Sequence, residues 1–200
     1  MNVLEAIGME QRFRLILASA SPRRRELLQR MGYEFEICAP DVDEHVDGRA
    51  EDIVQTLAAR KARAAAAHYA EGVIIASDTL VSLEGKPLGK PVDEDEAYAM
   101  LRALSGRAHE VFTGVCLRDA VTGRESVEVV ETKVRFRALS DAEIWDYIHT
   151  GEPMDKAGAY GIQGGAGAFV EELDGSFENV MGFPVEDVER MLRGFAGGGQ

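Results

Sequence analysis

Two cysteines, Cys38 and Cys116, are all that the chain of 200 residues contains, and neither belongs to a C-x-x-C pair. They offer no disulfide framework and no zinc pattern, so both are expected to be small buried apolar side chains. Long apolar runs are missing too. Leu15 to Ala18 and Val73 to Ala76 fall far below the roughly 20 residues that span a bilayer, so no transmembrane helix is expected. The opening MNVLEAIGMEQRFR mixes acidic and basic residues without an apolar core, unlike a secretory signal, which points to a cytoplasmic protein with no membrane partner. Basic residues are scarce: 22 Lys plus Arg stand against 35 Asp plus Glu, a net charge of -13. That balance argues against nucleic acid held on a basic stripe, but not against a small anion held by a local cluster of cations. Three signatures are also absent. The chain has no G-x-x-x-x-G-K-[ST], no G-x-S-x-G, and no H-x-x-x-H among His45, His68, His109 and His149. A P-loop NTPase, a nucleophile-elbow hydrolase and a helical zinc pair are thereby excluded. Single histidines are usually structural, and His109, in SGRAHEVFTGV, is the one to follow.

What is present suffices for a sizeable core, with 46% hydrophobic and 28% charged residues. RFRLILAS, residues 12–19, suits a short buried strand. Ser21 then fits an N-cap and Pro22 the first helical position, opening a helix that runs to about Met31 and stops at Gly32. EFEICAP reads as a second strand, and alanine-rich Ala50 to Tyr69 is the clearest helix. GVIIASDTLVSLEGKPLGKP starts as a buried strand, breaks at Ser77 to Thr79 and turns at Glu84-Gly85. A helix follows in DEDEAYAMLRALSG, then two long antiparallel strands around Thr122-Gly123, a helix capped by Ser140, and a last helix from about Pro184 to Arg193. The glycine-rich stretch from Gly151 to Pro184 shows little regular period. With no repeat and no Pro/Ser-rich linker, the expectation is one α/β unit with a mixed sheet, in two lobes around a cleft.

Several stretches could carry chemistry. In ASASPRRREL, Ser19, Ser21 and a helix N-terminus form a ready anion site, and three arginines add forked donors. Arginines oppose the positive end of a helix dipole, so they need either an anion or nearby acids such as Glu26. Asp78 and Thr79 follow four apolar residues, which suits a metal ligand or general base at a cleft, or else a turn. Lys61 interrupts an alanine-rich helix and Lys90 precedes a proline; either could be plain surface. Asp155, Lys156 and Gln163 lie among glycines that let backbone approach a ligand, although an irregular surface loop would read the same.

Together, LASASPRRRELL, ASDTLVSLEGKPLGKP, LSGRAHEVFTGV and the stretch from GEPMDKAGAYGIQGGAG to FENVMGFP resemble the Maf family of nucleoside triphosphate pyrophosphatases. The resemblance covers nearly the whole chain: residues 14–195 as one domain, after an extension at 1–13 and before a flexible tail at 196–200. It implies an elongated mixed sheet flanked by helices, similar to the inosine triphosphate pyrophosphatases, and commonly a homodimer. The implied reaction splits a nucleoside triphosphate between its α and β phosphates, with a divalent cation, Mg or Mn. Asp78 is then the proton acceptor that activates water, Ser19, Arg23, Lys61 and Lys90 surround the phosphates, and Glu44 helps hold the metal. Arg23, Thr79 and Gln163 resemble the subgroup that prefers dTTP and UTP, with Arg24 and Arg25 left as support or solvated. A 7-methyl-GTP subgroup would carry Gln after the catalytic Asp and Glu near Gln163, and neither stands here. The family's association with septum formation adds a nucleotide-binding regulator as a further alternative.

Overall fold

The computed structural model describes residues 13–197; the expected N-terminal extension, Phe13 aside, and residues 198–200 of the expected tail lie outside them. The elements are β1 (Leu15–Leu17), α1 (Pro22–Arg30), β2 (Glu36–Ile37), α2 (Ala50–Ala66), β3 (Val73–Leu83), β4 (Lys86–Leu88), α3 (Glu94–Leu104), β5 (Ala108–Asp119), β6 (Glu125–Phe136), α4 (Asp141–Ile148), β7 (Val170–Asp174), α5 (Phe177–Val180) and α6 (Val185–Gly197). Three 3-10 segments between Glu152 and Phe169 fill the glycine-rich stretch. The strands form one open mixed sheet of seven, ordered β2-β1-β3-β5-β6-β7, with β4 also on β3. β1 runs parallel to β2 and β3, and every other pairing is antiparallel.

Side chains alternate across a strand, and β3 sorts its residues accordingly. Ile74 and Ala76 join Ile16, Ala18 and Cys116 beneath the alanine face of α2, where Ala58, Ala62 and Ala65 are fully buried. Val73, Ile75 and Val81 face the larger core of Leu27, Leu28, Phe136, Phe183 and Leu192. Burying Leu27, Leu28 and Leu192 contributes about 1.5–3 kcal/mol per side chain. Small residues decide how closely α2 lies on the sheet. Glu84 at φ 53 and Gly85 at φ 78 make the two-residue turn that returns β3 into β4, a geometry matched to strand twist.

Four expectations change. The supposed break at Ser77 to Thr79 does not exist: β3 runs straight through, because β5 pairs with it from Val73 to Ser82. EFEICAP shrinks to Glu36 and Ile37, both exposed on the sheet's edge, where one side has no partner strand among the described residues. Cys116 is buried as expected, but Cys38 is half-buried. The last helix runs four residues past Arg193, held by Phe195, which is buried and lies under the Arg124 guanidinium. Among the described residues no helix is long and apolar enough to cross a membrane.

Candidate active site

One edge of β3 is divided between two short strands. β1 pairs with it as far as Ile75, and β4 begins only at Val81. Between them the backbone from Ala76 to Leu80 has an open edge, and a cleft of about 1080 Å³ opens there. Neighbouring strands that diverge from a central one commonly leave such a ligand crevice. All eight site residues expected from sequence line this one cleft: Ser19, Arg23, Glu44, Lys61, Asp78, Thr79, Lys90 and Gln163.

Asp78 sits in the middle of β3 with 9% of its surface exposed. Lys61, on α2, places Nζ 2.6 Å from Asp78 Oδ1 and 2.7 Å from Glu44 Oε1. The second Asp78 oxygen has no protein donor among the described residues. Glu44 is held below the usual carboxylate range, first by its hydrogen bond to Lys61 and further by the nearby charges of Lys61, Lys90 and Arg24. Gly114 is the cross-strand partner of Asp78, and a Cβ there would lie 2.4 Å from Val54 O. The bare backbone therefore lets α2 lie directly on the sheet, which carries Lys61 to Asp78.

Of the three arginines, Arg24 is the one built into the floor. Its Nη1 donates to Ser77 O at 2.8 Å, filling the open edge of β3, while Nε donates to Gly182 O at 2.9 Å. Nη1 also reaches Ser19 Oγ at 3.4 Å, and Nη2 reaches Thr79 Oγ1 at 3.3 Å. Burial lowers its pKa from the ordinary arginine value, opposed by the charge of Asp78. These carbonyl and hydroxyl acceptors answer the charge anomaly of SPRRR, since they offset the cost of a cation at a helix N-terminus. Arg23 instead lines the cleft with no hydrogen bond or ion pair among the described residues. Arg25 is exposed and lies outside the cleft lining. Helical spacing carried a signal for Arg24: it precedes the fully buried Leu27 and Leu28 by three and four residues, the centre of the inward face.

Ser21 caps α1, its Oγ accepting from Arg24 N, and Ser19 Oγ accepts from Ser21 N at 3.1 Å. Ser19 thus receives hydrogen bonds and keeps its own proton for a ligand. The opposite wall is the glycine-rich stretch. Gly158 N donates to Gly89 O at 3.0 Å, tying this wall to the chain just before Lys90. Gly158 has φ +68, and a Cβ there would meet Val81 Cγ2 at 2.8 Å, so the loop presses on β3 as only glycine can. Lys156 is nearly buried, with Nζ on Glu152 O and Asp155 Oδ1; Asp155 is consequently held below its usual range. Lys90 and Gln163 are exposed at the rim. His109 lies outside the cleft lining, buried behind Tyr160 with Nε2 2.8 Å from its hydroxyl, and burial lowers its pKa to about 4.

No cluster of three or more His, Cys, Asp or Glu that could hold a metal occurs among the described residues. Two carboxylates do converge on one cationic point, since Glu44 and Asp78 share the Lys61 ammonium. That donor set fits a magnesium-type ion, which takes one or two carboxylates and completes its shell with water and phosphate oxygens.

The family model described as Maf-like protein matches residues 14–195. A dTTP/UTP pyrophosphatase of Thermococcus gammatolerans is 50% identical over 177 residues, 88% of this chain and 94% of that protein. One of Carboxydothermus hydrogenoformans is 51% identical over 181 residues, 90% of this chain and 97% of that protein. One of Bdellovibrio bacteriovorus is 46% identical over 188 residues, 90% of this chain and 98% of that protein. With a match spanning the sheet, both cleft walls and every site residue above, the chain belongs to the Maf-like protein family.

Proposed function

We propose that this chain hydrolyses dTTP and UTP to the monophosphate and pyrophosphate. The observation that carries the proposal is Asp78: a nearly buried carboxylate, anchored through one oxygen by Lys61, with the other unclaimed by donors among the described residues, in a cleft lined by Arg23, Lys90 and Ser19. The names of the relatives, similar over almost their full lengths, support the substrate and the bond cleaved.

Asp78 orients a water and takes its proton as the water oxygen joins phosphorus; the α–β bridging bond breaks and pyrophosphate leaves with that bond's electron pair. Lys61 fixes the direction of the Asp78 carboxylate through its contact with Oδ1. Arg23, Lys90 and the Ser19 hydroxyl neutralise and orient the phosphate oxygens, in a site whose donors are already in place before the substrate arrives. A divalent cation, held by Glu44 with the phosphates, would supply further charge neutralisation. Free nucleotide rather than nucleic acid is the partner that a chain of net charge -13 with a local cation cluster suits, and the cytoplasm is where such a substrate pool is met.

The test is pyrophosphate release from a panel containing dTTP, UTP, CTP and 7-methyl-GTP, with and without Mg²⁺. Turnover of dTTP and UTP above the rest supports the proposal, and no turnover of either removes it.

A further inference from the structure

Two hydroxyls in the cleft have opposite hydrogen-bond polarity, and the polarity of one is imposed from the buried side of the sheet. Thr79 and Thr113 face each other across β3 and β5, with their Oγ1 atoms 2.9 Å apart. Thr113 is fully buried, and its Oγ1 lies 3.0 Å from the main-chain oxygen of Asn179. A carbonyl has no proton to give. Two oxygens at that distance need one between them, so Thr113 must donate to Asn179 O and has no second proton to offer. In the contact with Thr79 it can only accept. Thr79 therefore gives its single proton to Thr113. Of its two lone pairs, one faces Arg24 Nη2 at 3.3 Å, and one remains.

Asn179 is itself held from several sides, which fixes the polarity. It is fully buried, its Nδ2 donates to Val111 O, Val130 O and Thr132 Oγ1, and its main-chain oxygen also accepts from Gly182 N. The orientation of Thr79's hydroxyl is thus determined by a chain that ends in main-chain atoms.

We propose that Thr113 is a specificity-determining residue, acting through Thr79: it makes a cleft-lining hydroxyl an obligate acceptor, which selects a substrate edge offering an N–H. Such an oxygen repels phosphate oxygens and suits a base. Thymine and uracil both carry a proton on N3, whereas cytosine presents a bare lone pair there, which an acceptor-only Thr79 disfavours. Ser19 is the counterpart, accepting twice from protein and keeping its proton for a phosphate. The inference rests on the proposed hydrolysis of dTTP and UTP and names how that preference is held.

The experiment compares kcat/KM for UTP and CTP in the unaltered chain, Thr113→Val and Thr113→Ser. Valine keeps the shape, removes the acceptor and leaves Asn179 O its bond from Gly182 N, so Thr79 can turn its proton toward the cleft. The UTP-over-CTP ratio is expected to fall about tenfold in Thr113→Val, the size of one hydrogen-bond difference, and to be retained in Thr113→Ser. In a Thr79→Val background, Thr113→Val should leave the ratio where it is, which a merely structural role would not produce. Thr113→Ala removes the same oxygen without overpacking and carries the test where the valine variant does not fold. An active unaltered chain with an unmoved ratio overturns the role of Thr113 alone; an unaltered chain inactive on dTTP and UTP overturns the proposed function and this inference with it.

Discussion

Lys61 Nζ lies 2.6 Å from Asp78 Oδ1, and the contact exists because the residue paired with Asp78 across the sheet is a glycine. An ammonium and a carboxylate, each with little more than a tenth of the side chain exposed, meet where α2 crosses β3 and β5. Any side chain at position 114 would press on the main chain of α2 at Val54 and Gln55.

Gly114→Ala is therefore expected to separate α2 from the sheet at the site itself. Its Cβ would fall 2.4 Å from Val54 O and 2.9 Å from Gln55 N, both main-chain atoms that cannot swing away. Overpacking of this kind costs about 1–3 kcal/mol. A lower Tm should accompany lower kcat; equal Tm and kcat would show that α2 does not depend on this close approach.

Asp78→Asn keeps the shape of the side chain and removes the proposed base. Loss of a positioned general base lowers rates by about 10²- to 10⁴-fold. Pyrophosphate release at saturating dTTP should fall by that factor while the far-UV circular dichroism stays unchanged. Retained turnover would mean that another group accepts the proton.

Much of this was legible in the sequence, for reasons that can be assigned. Strands and helices with strong local signals, such as Ser21-Pro22 opening α1 or the apolar run of β3, appear where propensity and period place them. The eight expected site residues, spread from Ser19 to Gln163, meet in one cleft. What stayed hidden depends on partners distant in the chain. Ser77 to Thr79 looked like a break because three polar residues interrupt an apolar run. Each, however, is satisfied from elsewhere: Ser77 Oγ by Gly182 O, Asp78 by Lys61, Thr79 by Thr113. The strand β7 is short and mostly exposed, so it carries little hydrophobic signal and exists only through its pairing with β6.

The three adjacent arginines should separate by measurement. Arg24→Ala leaves Ser77 O without its donor and Gly182 O with only Ser77 Oγ, an expected loss of about 1–3 kcal/mol seen as a lower Tm. Arg24→Lys recovers little, since an ammonium cannot reproduce the guanidinium fork. Arg23→Ala should leave Tm in place and raise KM for dTTP about tenfold, the value of one charge-assisted contact. Arg25→Ala should change neither. A Tm loss in Arg23→Ala equal to that in Arg24→Ala would contradict this division.

His109 gives stability a pH dependence whose sign follows from its burial. Its pKa is lowered from 6.5 to about 4, first by desolvation, with Nε2 on the Tyr160 hydroxyl and Nδ1 buried without a partner. Unfolded chains bind the proton more tightly, so protonation favours unfolding. Above pH 6.5 the residue contributes no slope; as pH falls from about 6.5 to 4, stability drops, and below 4 its share levels off. The full share is about 3 kcal/mol, from the difference between the two pKa values. Carboxylates held by ion pairs add their own losses at lower pH, so the comparison must be with His109→Gln, which cannot titrate. Urea unfolding at intervals between pH 7 and 4 should show the unaltered chain losing stability faster than His109→Gln across that window. Parallel curves would mean that His109 takes up its proton in the folded protein as readily as in the unfolded chain, and that burial does not keep it neutral.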